Sequence, residues 1–305
     1  MIKYYENDST EVTQERVNEL MLQGARADWI VECVECIKDA VKELERLKEI
    51  ISEELSTEGV FNQTSKDNFQ LIYNSFVFSL LGIVIFSDQF KRERKYDLLK
   101  ELKWENLDCK AIDDAANIKV SRYMRDYFAH VRKGRQGFHF SIKSELLSEK
   151  FNNEDWANHA KGKAGNLPRQ KTVIVDIQKM VTNRRIRLPK DIGINDIESL
   201  LIDRVYTDLR GKPTGKTYID LFKFAESMPK ELYTIWRAFV DSNRSEFDEL
   251  SQQNGAVITR INEIEQGEQH IGINFGNGIA LEGINFVGID DSLKKKLQDA
   301  LKVDY

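Results

Sequence analysis

The positions of the prolines limit the fold more than any other feature of this sequence. All four, Pro168, Pro189, Pro213 and Pro229, follow the midpoint of the 305 residues, so residues 1–150 contain none. Proline breaks helices because it lacks a backbone donor and its ring clashes with the preceding turn. A proline-free half with periodic apolar residues predicts long helices, whereas the second half predicts a mixed structure.

Four helices are predicted in the first half. They cover about Glu11–Leu22 with Gly24 as the stop, Ala27–Leu55, Ser65 to the basic cluster Lys91–Lys95, and Lys110–Lys133 ended by Gly134. The third helix contains an apolar run at Phe76–Phe86. A membrane crossing needs roughly 20 predominantly apolar residues, so this run predicts a helix buried between neighbours, and no membrane partner is expected.

The second half predicts helices and a small β-hairpin. The helices cover about Asp196–Leu209, Tyr218–Ser227, Lys230–Glu249 after Pro229, and Ser292–Leu301, and the hairpin uses Ile271–Phe275 with a turn at Gly276–Gly278. The predicted fold is therefore mainly α, with a helical bundle at 1–151 and a mixed α/β region with a small β-hairpin at 166–305. A linker at 152–165 joins them.

The cysteine content and the net charge restrict the cellular compartment and the kind of binding partner. Three cysteines cannot form a closed disulfide framework, and the sequence does not open like a secretory signal, so a reducing cytoplasm is expected. The net charge of −5 gives no general affinity for nucleic acid. An anionic partner therefore needs a local basic patch.

One segment supplies such a patch. Residues 118–137 contain six basic side chains and the single acid Asp126, the basic ones being Lys119, Arg122, Arg125, Arg132, Lys133 and Arg135. On a helical projection the apolar residues, among them Val120, Tyr123, Met124 and Phe128, occupy one half. Arg122, Arg125, Asp126, His130, Arg132 and Lys133 occupy the other, which predicts an anion-binding face. Arg125 and His130 lie about 140° apart around the axis, so a twofold partner would be needed to complete a site.

The string from Arg125 to His130 resembles the R-x4–6-H motif of the HEPN superfamily, over roughly residues 10–150. The resemblance implies a helical bundle, a homodimer formed through the N-terminal domain, and a metal-independent, cofactor-free endoribonuclease of toxin, antiviral defence or CRISPR-linked type. It makes Arg125 and His130 catalytic and gives Asp126, at the polar position after the Arg, an orienting role. In such toxins paired with nucleotidyltransferases a modified Tyr stands two residues after the His, where this chain has Arg132.

The residue types suit that chemistry. A histidine can move the proton of a ribose 2′-hydroxyl or of the leaving oxygen, and an arginine fork can stabilise the charged transition state. The expected products are a 2′,3′-cyclic phosphate and a 5′-hydroxyl. Arg122, Arg132, Lys133 and Arg135 are predicted to bind the RNA backbone, and an antitoxin or a sensor protein is a further expected partner.

Other interpretations remain open. The chain could be a catalytically inactive RNA-binding or protein-interaction module, with His130 merely paired to Asp126. Gly211–Thr217, with Lys216, resembles a phosphate-binding loop one residue short, and His139 gives a second match after Arg132. Cys33 with Cys36, and Asp155 with His159, are weaker metal or redox candidates. The cysteine pair is interpreted as buried helix residues.

Overall fold

Helices dominate the computed structural model, which describes residues 2–7, 10–56, 65–90, 98–130, 140–146, 169–176, 218–263 and 279–302. The helices are α1 Gln14–Ser56, α2 Ser65–Asp88, α3 Lys110–Asp113, α4 Ala116–His130, α5 Leu221–Ser242, α6 Arg244–Gln252 and α7 Asp291–Leu301. The strands are β1 Ile2–Glu6, β2 Thr10–Val12, β3 Phe140–Leu146, β4 Arg169–Asp176, β5 Tyr218–Asp220, β6 Ala256–Glu263 and β7 Ile279–Val287. The predicted fold class, mainly α with a helical N-terminal region and a small antiparallel sheet toward the C-terminus, is confirmed.

The chain forms two compact units, each assembled from distant parts of the sequence. Unit 1 comprises Met1–Glu35, Gln89–Asp113 and Tyr233–Tyr305, and unit 2 comprises Cys36–Asp88 and Asp114–Leu232. The linker predicted at 152–165 lies outside the described residues, so the proposed boundary stays a prediction.

Unit 1 contains a four-stranded antiparallel sheet in the order β2-β1-β6-β7. The register pairs Tyr4 with Val12 and with Arg260. The pairing of β6 with β7 shifts between Arg260 and Ile261, whose partners Gly283 and Leu281 skip Glu282 of β7. One face packs on the start of α1, where Leu20 and Ile258 are buried together. Alternation along the strands therefore gives the sheet one core face.

An aromatic cluster and a buried amide organise the rest of unit 1. The Trp29 ring packs against Phe90, Trp104 and Phe239, with centroids 5.4, 5.9 and 6.3 Å away. Asn243, between α5 and α6, accepts a hydrogen bond from the Asp108 amide at 2.7 Å and donates to the Asp108 carbonyl at 2.8 Å. Burial of this amide is therefore compensated by hydrogen bonds.

Unit 2 holds the second part of α1, with α2, α4 and the first part of α5. α1 and α2 approach closely, because a Cβ placed on Gly82 would lie 2.9 Å from the Ala40 Cα. The Phe76 ring of α2 packs edge-on against Phe224, with 5.6 Å between centroids. A three-stranded antiparallel sheet, β3-β4-β5, completes the unit and buries Val173 and Val175.

Within the described part of the chain one segment, Gln70–Asp88 in α2, is long and apolar enough to cross a membrane by length and composition. Half of it is buried inside the protein. The expected burial of the apolar run therefore holds on one side of the helix, while the other side stays open.

Two predicted helix breaks are wrong. α1 continues through Gly24, whose missing side chain permits close packing instead, since a Cβ there would lie 2.9 Å from the Gly288 carbonyl oxygen. α5 continues through Pro229. The hydrogen bond that proline removes is offset by the burial of Phe224, Met228 and Leu232 along one side.

Other predicted boundaries are also corrected. The helix predicted at Lys110–Lys133 is two, because Asp113 and Asp114, which compete with helical hydrogen bonding, separate α3 from α4. Asn243 divides the helix predicted at Lys230–Glu249. The terminal helix is confirmed, with Asp290 as its cap. The segments Asp196–Leu209, Ile271–Gly278 and Lys91–Lys95 lie outside the described residues.

Candidate functional site

The helix α4 carries the predicted motif, and its apolar face is held against α2. Val120, Tyr123, Met124 and Phe128 are buried, as the helical projection predicts. The Phe128 ring lies edge-on to Phe76, with centroids 5.6 Å apart. Since aromatic packing of this kind fixes both position and rotation, α4 presents its polar residues in a defined direction.

Arg125 and Asp126 form an ion pair on the polar side of α4. Arg125 Nε lies 3.1 Å from Asp126 Oδ1, and the two side chains are 29% and 43% exposed. The guanidinium is therefore partly withdrawn from water. A carboxylate in this position can orient the guanidinium and also compete with an incoming phosphate for it.

Arg122 is bound to the end of α2. Its Nη2 donates to the Ser87 hydroxyl at 2.7 Å and to Asp88 Oδ1 at 3.2 Å. Ser87 in turn donates to the Val84 carbonyl at 3.0 Å. These contacts use one nitrogen of Arg122, so the side chain joins two helices and its predicted contact with RNA stays a prediction.

Helix α4 encloses polar groups on both of its sides. Arg122 Nε and Arg125 Nε on the polar side are buried without a hydrogen-bond partner among the described residues, as are Asn117 Oδ1 and Ser121 Oγ toward the buried side. The ion pair of Arg125 with Asp126 is thus a charge contact that is not aligned as a hydrogen bond. Buried polar atoms are nearly always paired, and water can supply such partners.

The structure brings together part of the predicted site. Arg122, Arg125 and Asp126 share the polar side of one helix. His130 is the last residue of α4, and its side chain is outside the description. The residues Arg132, Lys133, Arg135 and His139 lie in 131–139, which the structure does not describe.

Sequence reasoning missed the α2 partners of the motif helix. Ser87 and Asp88 end α2, and Asp88 is the first charged residue after Asp67. That isolated charge at the end of an apolar helix is the one sequence signal that could have pointed to an arginine partner. The pairing with Arg122 depends on how α2 and α4 pack, which the local sequence does not specify.

The described residues give little support to the alternative metal, redox and phosphate-binding sites. Cys33 is buried, Cys36 is half-buried, and neither they nor Cys109, all three within the described ranges, form a disulfide. No group of three His, Cys, Asp or Glu side chains lies together in the part of the chain that the structure describes. The loop with Lys216 and the pair Asp155 and His159 fall outside it.

Comparison with known proteins adds no relative to this description. No protein-family model, no curated protein and no solved structure matches the chain.

Proposed function

We propose that this protein is a metal-independent endoribonuclease of HEPN type, a homodimer acting in a toxin or antiviral defence setting. The observation that carries the proposal is the half-buried pair of Arg125 and Asp126 on α4, with Arg125 five residues before His130. Such an arginine, shielded from bulk water, stabilises a phosphorane-like transition state more strongly than an exposed one.

Each residue has a separate task in this mechanism. Arg125 binds the scissile phosphate through the nitrogens that Asp126 does not occupy, and Asp126 holds the guanidinium in position. His130 transfers the proton of the attacking 2′-hydroxyl or of the leaving 5′-oxygen. Arg132, Lys133 and Arg135 bind the RNA backbone and give a salt-dependent affinity.

The test is cleavage of total RNA and of tRNA in excess EDTA, with the product ends mapped. The wild type should leave 2′,3′-cyclic phosphates, and His130→Ala should lower the rate by about 100-fold or more, the usual contribution of a proton-transfer group. The matched control is His139→Ala, which removes the nearby histidine of the second motif match. Equal cleavage by the wild type and His130→Ala would reject the assignment.

A second candidate is an inactive RNA-binding or protein-interaction module that uses the same helix. The engagement of Arg122 by Asp88, and of Arg125 by Asp126, favours it, because both arginines already have carboxylate partners. This candidate predicts RNA binding by the wild type with no cleavage. It also predicts that His130→Ala changes neither property.

A further inference from the structure

The strand β7 forms one edge of the sheet in unit 1. The sheet order is β2-β1-β6-β7, so β6 lies on one side of β7 and no described strand lies on the other. Three consecutive residues of β7 are exposed, Ile284 at 58%, Asn285, and Phe286 at 48%. Their partners in β6 include the buried Ile258 and Thr259. Burial therefore ends at β7, and we call Ile284 and Phe286 the edge pair.

The hydrogen bonds of β6 indicate which backbone groups of β7 point outward. The Val257 carbonyl accepts a hydrogen bond from the Asn7 amide at 2.8 Å, so the backbone groups of Val257 face β1. Because backbone groups alternate in direction along a strand, those of Ile258 face β7, where its partner is Asn285. The N–H and C=O groups of the edge pair therefore point away from β6, toward the open edge.

The edge pair lacks the charges and prolines that commonly protect the edge of a sheet. At the opposite edge, β2 is only three residues long and carries the exposed Glu11. β7 is nine residues long, and residues 283–289 contain no charged residue and no proline. The shift at Glu282 leaves residues 283–287 in regular pairing with β6. An edge of this kind is a template for one more strand.

Close glycine contacts hold the end of β7 in place. A Cβ on Gly255 would lie 2.5 Å from the Phe286 ring, so this ring packs directly on the backbone. A Cβ on Gly288, whose φ is 97°, would lie 2.7 Å from the Gly255 Cα. The Gly255 amide also donates a hydrogen bond to the Ile289 carbonyl at 2.8 Å. The edge pair is therefore held extended before a partner binds, which lowers the entropic cost of pairing.

The occupant that fits this edge is an extended segment of a partner protein. Outward N–H and C=O groups at every second residue match the backbone of another strand. The edge pair lies on one face of the sheet, opposite Val257 and Thr259, so the segment should carry apolar residues at every second position. Residues 279–291 contain three acids and no base. Basic residues at the ends of the segment would complement this charge.

We propose that β7 binds a partner protein by strand addition, taking an extended segment with alternating apolar residues and with basic residues at its ends. A second copy of this chain fits the edge less well, because its own β7 would bring three acids against three acids. The edge lies in unit 1 and the motif helix α4 in unit 2, so the proposal does not depend on RNA cleavage.

Amide hydrogen exchange of the full-length protein, followed by NMR, tests the edge directly. In the free protein the amides of Ile284 and Phe286 should exchange quickly, whereas the amide of Asn285, which faces Ile258, should be protected. The probe is a synthetic peptide in which valine and threonine alternate between two lysines at each end. It should protect the amides of the edge pair. Replacing its lysines by glutamates should weaken binding by about 10-fold or more.

A proline variant removes an outward donor without interrupting the pairing of β7 with β6. Ile284→Pro should stay folded and should bind the probe about 5-fold or more weakly, the effect of one lost hydrogen bond, as measured by fluorescence anisotropy. Ile284→Val is the matched control, because it keeps the N–H and should change the affinity by less than about 2-fold. Asn285→Pro removes the N–H that faces β6, so it should unfold at a lower urea concentration than Ile284→Pro.

Other results would overturn the proposal. Amides of Ile284 and Phe286 that are already protected in a monomeric protein would show that the chain covers its own edge. Protection that rises with protein concentration, together with the sedimenting mass, would assign the edge to a second copy. A probe that leaves these amides in fast exchange, or that binds Ile284→Pro as tightly as the wild type, would reject strand addition at β7.

Discussion

Arg122 stabilises the packing of two helices, although its place on a basic helix also suits it to bind an anion. It lies on the polar half of α4, where sequence reasoning assigns it to RNA, and the structure bonds it to Ser87 and Asp88. A charge-assisted hydrogen bond in a half-buried place is among the stronger single contacts of a protein. Replacing Arg122 should therefore lower the free energy of unfolding.

Replacing Arg122 by Met keeps the aliphatic stem and removes these bonds. The free energy of unfolding should fall by about 1–2 kcal/mol, measured by urea denaturation. Asp88→Asn keeps an acceptor at the same place and removes only the charge, so it should cost less, and the difference should shrink in high salt. An Arg122→Met protein as stable as the wild type would show that the contact contributes nothing to the fold.

Tyr73, beside the motif helix, predicts a pH effect. Its ring lies edge-on to Phe128 with centroids 5.9 Å apart, and burial raises the pKa of its phenol. The unfolded chain ionises this phenol near pH 10, before the folded protein does. The contribution of Tyr73 to stability is therefore complete below about pH 10 and is lost as the pH rises through the higher folded pKa.

The comparison with Tyr73→Phe isolates this contribution. The decline of the free energy of unfolding above pH 10 should be shallower in the variant, while the difference between the two proteins should stay constant from pH 6 to about pH 9. Chemical denaturation at a series of pH values measures it. Parallel curves at all pH values would contradict the assignment.

Helix α2 has three kinds of surface, and each has a cause in the sequence. Gly82 permits the approach of α1, and Phe76 and Ser87 face α4. The exposed apolar residues Leu71, Phe78, Leu81 and Ile85 face outward. The apolar run from Phe76 to Phe86 predicts a buried helix without distinguishing these sides. The open side becomes visible only when the neighbours of the helix are placed.

Gly82→Ala tests the close approach of α1 and α2. Alanine favours a helix over glycine by about 1 kcal/mol, but its Cβ would lie 2.9 Å from the Ala40 Cα and 3.0 Å from the Ala40 Cβ. The steric clash should outweigh the gain in helix propensity, so the free energy of unfolding should fall by about 1–3 kcal/mol.

Asp39→Ala is the matched control, because it introduces alanine at an exposed position next to Ala40. It should change the free energy of unfolding by less than about 0.5 kcal/mol. If Gly82→Ala stabilised the protein as much as helix propensity alone allows, the two helices would be farther apart than the structure places them.

Sequence periodicity predicts the long helices of this chain, but it predicts neither where they end nor the strands β1 to β5. The proline-free half does form long helices, and the buried residues Met124 and Phe128 lie where the projection of α4 places them. Gly24 and Pro229 do not end their helices, although both residues disfavour a helix. Close packing on Gly288 favours a glycine at position 24, and burial around Phe224 offsets the cost of Pro229. The contacts of Arg122 with Ser87 and Asp88 depend on packing between distant segments, which no local pattern contains.

At the scale of the whole molecule, charge concentrates any RNA contact on the motif region. The protein carries −5 overall, so the proposed binding of RNA depends on the local basic residues of 118–137. The proposed homodimer would double that basic surface and would bring together two copies of a motif in which helix geometry predicts Arg125 and His130 about 140° apart around the axis.

In the proposed mechanism Arg125 and His130 act on one phosphate as a single catalytic unit. Single-turnover cleavage of an RNA oligonucleotide in EDTA should be measured for the wild type, Arg125→Ala, His130→Ala and the double variant, with RNA affinity measured in parallel. Residues that act as a unit give strongly non-additive losses. We expect the double variant to be about as slow as the slower single variant. Losses that multiply, or wild-type rates in both single variants, would contradict it.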